Sequence, residues 1–178
     1  MKTLLPFFLL LSVFTPLQAQ DFPKLSRYEI GESGFEAYLP CSPADVVDSS
    51  VSDDGSPVWT AEVEGGDLLF GIICVKFAEP LGFDAELNTQ LLESYLDYLK
   101  EAFEVSESVG YGYGHVLELS ENALGMLDYW LDSDGYEWKI KGWVSNSYLT
   151  VLYVGGGEGE LNEEASNMFL DGIRFPAK

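Results

Sequence analysis

The sequence predicts an α+β fold: a largely antiparallel sheet with helices packed on its faces. Three observations carry this. Residues 136–154, YEWKIKGWVSNSYLTVLYV, read as two strands joined by Ser145-Asn146-Ser147. Residues 68–77, LLFGIICVKF, are apolar on both sides of an extended chain, a pattern that belongs inside a covered sheet. Between these two stretches, residues 87–104 separate into an apolar and an acidic side at helical spacing.

The chain opens with MKTLLPFFLLLSVFTPLQAQ: a lysine, an apolar run, then small residues before Gln20. That is the pattern of a secretory signal peptide, residues 1–19, too short for a membrane span. Residues 20–178 are then expected to form a single domain. The first expected elements are a short strand at 28–30 and a strand at 35–39, ended by Pro40. Residues 42–50 read as a loop. Strands at 58–63 and 68–77 are linked through Glu64-Gly65-Gly66-Asp67, which suits a hairpin turn.

After Pro80 a long amphipathic helix is expected over about 88–104, with Asn88 as its N-cap. On a helical projection Leu91, Leu92, Tyr95, Leu96, Tyr98, Leu99, Ala102 and Phe103 share one arc about 160° wide, which is broad enough to lie across a sheet. Asp97 falls on the opposite, solvated side. Strands at 115–119 and 125–131 follow, and Asp132-Ser133-Asp134-Gly135 makes a hairpin turn into the late strand pair. Gly155-Gly156-Gly157 reads as a turn. A short C-terminal helix at about 161–170 and a last strand at 173–175 complete the list.

The chain carries 9 Lys and Arg against 30 Asp and Glu, a net charge of −21. The leader holds one lysine and no acid, so removing it takes the charge from −21 to −22. Such a field repels nucleic acid and anionic lipid and favours cations or a basic partner. It also keeps an exported protein soluble. Past the leader there is no apolar run long enough to span a bilayer, so no membrane insertion is expected.

The candidate chemistry is sparse. His115 is the single histidine, no Gly-x-Ser-x-Gly is present, and there is no Cys-x-x-Cys. A histidine triad or a multi-histidine zinc site is therefore poorly supported. Asp132-x-Asp134-Gly135 resembles part of a calcium loop, but Lys141 stands where its glutamate belongs. No cofactor and no metal is implied. Cys41 and Cys74 either form a disulfide closing a loop of about 33 residues or remain two thiols, one of them buried in a strand.

Strand parity puts Trp138 and Ile140 on one side of their strand and Lys139, Lys141 and Trp143 on the other. The first side is expected in the core. Two lysines make burial of the second side costly. Trp143 is therefore expected at an exposed margin, as an anchor for a partner, together with Lys139, Lys141, Tyr111 and Tyr113.

The order of elements resembles the PsbP-like and Mog-type Ran-binding superfamily in its small secreted bacterial form. The resemblance rests on the opening strand before Pro40, two strands ahead of a long helix, the late strand pair, and the ending Phe169-Leu170-Asp171-Gly172-Ile173-Arg174-Phe175. Related chains tend to end Phe-Leu-Asp-Ser-Phe-Arg-Phe, and Gly172 and Ile173 depart from that. The resemblance implies an α/β/α sandwich. Members serve as photosystem extrinsic subunits or Ran-binding factors, and none of their functional residues maps onto a position here.

These observations lead to the expectation of a non-catalytic, exported binding or assembly module with another exported protein as partner. The alternative is a small-ligand or cation binder of the cell envelope, and the third reading is a hydrolase with an unrecognised site.

Overall fold

The computed structural model describes residues 23–82, 84–117 and 120–176. The expected leader, residues 1–19, lies outside them. The described chain is mostly antiparallel sheet with two helices, an α+β fold. No helix among the described residues is long and apolar enough to cross a membrane.

A two-stranded sheet pairs β1 (Ser26–Glu29) with β2 (Glu36–Leu39). The main sheet contains β3 (Asp48–Val51), β4 (Pro57–Gly65), β5 (Leu68–Lys76), β6 (Val105–Ser108), β7 (Gly112–Leu117), β8 (Ser120–Asp132), β9 (Glu137–Val144) and β10 (Tyr148–Gly156). Its order is β3-β4-β5-β10-β9-β8-β6, with β7 also paired to β8. The two strands read as apolar on both faces, β5 and β10, are neighbours in the middle of it. Helix α1 (Ala85–Ala102) connects β5 to β6 across the intervening strands, and α2 (Glu163–Leu170) follows β10.

Neighbouring residues of β9 show how the two faces are filled. Gly142 lies under α1, where an added Cβ would stand 2.6 Å from Leu92. Trp143, one residue on, donates its indole N–H to the Leu170 carbonyl at the end of α2, 3.0 Å away. Two buried clusters follow from this alternation. One gathers Leu92, Leu96 and Leu99 with Ile140, Val151 and Tyr153. The other gathers Phe169, Leu170 and Ile173 with Phe35, Phe70, Leu152 and Val154. The β1–β2 pair, which contributes Ala37 and Leu39, packs into the second cluster.

Several expected elements differ. Helix α1 is capped by Asp84, whose carboxylate accepts from the amides of Glu86 and Leu87; Asn88 lies inside the helix and is buried. Its apolar stripe is narrower than the expected arc, because Tyr98 and Ala102 are exposed. The expected loop at 42–50 contains β3, an edge strand of exposed residues whose existence depends on backbone pairing with β4. Residues 105–108 pair with β8 as β6 despite their polar character. The expected last strand, 173–175, is a single bridge between Arg174 and Glu36. Gly155 and Gly156 belong to β10, since Trp138 of β9 lies over Gly155 and fills the missing side chain's place.

That last contact recurs. Trp143 lies over Gly125, Trp138 over Gly155, and Tyr153 over Gly71, each pair directly opposite in register. A Cβ on any of these glycines would stand between 2.0 and 2.4 Å from the ring it faces. Cross-strand aromatic cover of this kind compensates for glycine's missing side chain within a sheet.

Candidate functional site

The residues expected to share a binding face come together only in part, and those that do are buried. Trp143 is buried completely, beneath the C-terminal end of α2. Lys139 and Lys141 do share its side of the sheet, but both are buried as well. Lys139 donates to Glu163 at 2.5 Å and to Asn167 at 2.9 Å, and Lys141 pairs with Asp171. Helix α2 thus carries acids in the positions that neutralise the two ammonium groups, which removes the desolvation objection to burying this face. Burial pulls the Lys139 pKa down, but the hydrogen bonds to Glu163 and Tyr129 outweigh it and leave it raised.

Tyr111 and Tyr113 lie elsewhere, against α1, with their hydroxyls donated to Asp97 and Glu93. Burial, with Asp97 beside it, drives the Tyr111 hydroxyl's pKa far up. Nearby, Asp128 is fully buried and accepts from Ser108, from the amides of Gly110 and Tyr129, and from the Trp130 indole. Lys100 stands 3.3 Å from it. These contacts fasten the segment after β6 to the helix and the sheet. Asp97 is on a solvated face, as expected, and from there also takes part in that fastening.

Cys41 and Cys74 are both free, the first exposed and the second buried, so no disulfide joins them. Burial pushes the Cys74 thiol's pKa well up, away from thiolate chemistry. His115 is half-buried on β7, and its pKa is lowered first by burial and then by Lys141, against an opposing pull from Asp171. Among the described residues no group of three or more His, Cys, Asp or Glu is arranged to hold a metal ion. Asp132 is committed to its turn: one oxygen accepts from the Asp134 and Tyr136 amides and the other from Trp138.

The open chemistry of the α1 side gathers around Trp138, expected in the core but half-buried. Its ring lies over Gly155, its edge meets Phe103 with centroids 4.9 Å apart, and Asp132 fixes its indole N–H at 2.8 Å. Two clefts open beside it. One, of about 600 Å³, is walled by Trp138, Tyr136, Glu64, Asp67, Asp132 and Glu160. The other, of about 390 Å³, is walled by Trp138, Phe103, Tyr153, Glu62, Glu104 and Asp134, with Asp132 again at its edge. Each has four carboxylates and neither has a lysine or arginine. Tyr153 donates to Glu62 at 2.6 Å, which aims that carboxylate along the aromatic wall. Aromatic faces beside uncompensated carboxylates suit a cationic group, held by ring quadrupole and charge together.

The sequence reading missed this site because its acids come from β4 and from four separate connections between elements. The one available signal was Asp132-Ser133-Asp134-Gly135 preceding Tyr136 and Trp138, which places carboxylates next to aromatic rings. No protein-family model matches the chain, and no curated protein matches it.

Proposed function

We propose that this chain is a non-catalytic binding module, exported after removal of its leader, that takes a positively charged segment of a protein partner into the clefts beside Trp138. The observation that carries the reading is the lining of those clefts, four carboxylates and at least two aromatic rings each with no basic side chain. The net charge of −21 supports it by favouring encounter with a basic partner. The element order and the two buried clusters on either side of the sheet favour an α/β/α sandwich of the PsbP-like and Mog-type kind.

A second reading, a receptor for a small organic cation, is favoured by cleft volume, since 390 and 600 Å³ lie in the range of small-molecule sites. Calorimetric titration of residues 20–178 with an arginine-rich peptide, with arginine amide and with tetramethylammonium separates the two. The protein-partner reading expects saturable peptide binding that weakens with salt and falls about tenfold in Asp67→Asn/Glu160→Gln. Binding of the small cations alone moves the assignment to the second reading. Peptide binding unchanged by the double substitution overturns the site.

A further inference from the structure

We infer that the uncovered part of the sheet beside α2, over β8 and β6, is a docking site for a basic amphipathic helix of another protein. The inference concerns the α2 side of the sheet and does not rest on the two acidic clefts, although Trp138 also borders the groove that carries it.

In register, Leu127 lies opposite Lys141, Tyr129 opposite Lys139, and Leu131 opposite Glu137. Directly paired residues share a face, and Lys139 and Lys141 reach α2. The three β8 residues therefore point to the α2 side. Helix α2 has eight residues and lies against β10, β9 and β2. On the other side the 18-residue α1 lies against β9, β8 and β6. On the α2 side the first half of β8 is covered, with Ala123 in the α2 cluster and Gly125 under Trp143, whereas Leu127, Tyr129 and Leu131 stay partly exposed.

The open region contains a groove of about 340 Å³. Val109, Tyr129, Leu131 and Leu161 line it, with Trp130 and Trp138 also on its border. Val109 is 79% exposed and Tyr129 36%. Glu107 and Glu137 also line it, Glu137 accepting from the Gly159 amide at 3.1 Å, and no lysine or arginine does. The Lys139 ammonium lies 5.2 Å from the Tyr129 ring centroid and is held by Glu163 and Asn167, which leaves the two groove glutamates without a basic partner among the described residues.

Charge selects the occupant. A second copy of this chain would bring another −21 to an acidic rim, and like-charge contact is unfavourable. A helix with an apolar stripe for Val109, Tyr129 and Leu131, flanked by lysine or arginine for Glu107 and Glu137, complements both parts. Anchors at i, i+3, i+4 and i+7 of such a helix span about 10 Å along its axis.

The test uses isotopically labelled residues 20–178 and a leucine–lysine peptide of about 18 residues, helical and amphipathic, roughly 27 Å long. Its control is a permuted peptide of identical composition without a helical stripe. Expected are one-to-one saturation, amide shift changes clustered at Val109, Tyr129, Leu131 and Leu161, and binding about tenfold tighter than the control's. Val109→Asp, at an exposed position, should weaken binding about tenfold with its melting midpoint retained, and Tyr129→Ser provides an independent second variant. Equal binding of the permuted peptide, with shifts spread over the acidic surface, would overturn the inference. So would unchanged affinity in both variants, or self-association of the chain alone that Val109→Asp abolishes.

Discussion

The Trp143 indole N–H donates to the Leu170 carbonyl 3.0 Å away, joining the last residue of α2 to the C-terminal end of β9. The same ring covers Gly125 of β8. One side chain therefore closes an otherwise unpaired helix-end carbonyl and fills a gap in the sheet. Trp143→Ala is expected to cost about 3–5 kcal/mol, as truncation of a fully buried aromatic does. Trp143→Phe should cost about 1–3 kcal/mol, chiefly for the carbonyl left without a donor. Trp138→Ala, at a half-buried ring, should cost less than Trp143→Ala. Urea midpoints of the three variants check the order, and the reverse order would remove Trp143 from the core.

The Lys139–Glu163 pair predicts an asymmetry. Lys139 is buried while the Glu163 side chain is 69% exposed. Removing the acid leaves a buried ammonium with only the neutral Asn167 and Tyr129, whereas removing the lysine leaves a carboxylate already in water. Glu163→Ala should cost about 1–2 kcal/mol, reduced from the fully buried case by solvent screening, and Lys139→Met should be neutral or stabilising. The folded Lys139 pKa is raised, so its contribution is present below the unfolded lysine range and is lost as pH rises through the folded value. Thermal melts of both variants, from neutral to alkaline pH, check this. Equal losses in the two would contradict the burial difference.

Asp128 sets a limit at the acid end. Burial raises its pKa, but hydrogen bonds from Ser108, Trp130 and the Tyr129 and Gly110 amides outweigh that and hold it below the ordinary carboxylate value. A carboxylate with a lowered folded pKa stabilises above its unfolded value, about 4, and that stability is lost as pH falls through the folded value. Asp128→Asn should cost about 2–4 kcal/mol near neutrality, since it weakens several charge-assisted bonds and leaves Lys100 short of a partner. It should also flatten the fall in melting midpoint between neutral pH and strong acid. An acid limb as steep as in the parent chain would assign the pH dependence to other carboxylates.

Local pattern determined much of this molecule. Alternation and turn chemistry located β4, β5, β8, β9 and β10, and both apolar faces of β5 and β10 marked them as central strands. The helical period located α1 and its buried line Leu92, Leu96 and Leu99. Parity also placed Trp143 on the side of Lys139 and Lys141, as observed. These features are set by neighbours within a few residues, where one backbone period decides which side chains share a face.

Tertiary structure decided what each face meets. Lys139 and Lys141 are buried because Glu163 and Asp171, 24 and 30 residues later, are carried over them by α2. Trp138 is left half-open because β4 and connections mostly distant in sequence bring carboxylates around it and none covers it. Asp48–Val51 and Val105–Ser108 are strands because β4 and β8 offer them backbone partners, not because their side chains demand it. The cost of burying a charge, or the gain from pairing an edge, depends on groups brought close only by the chain's return, and no local period encodes that distance.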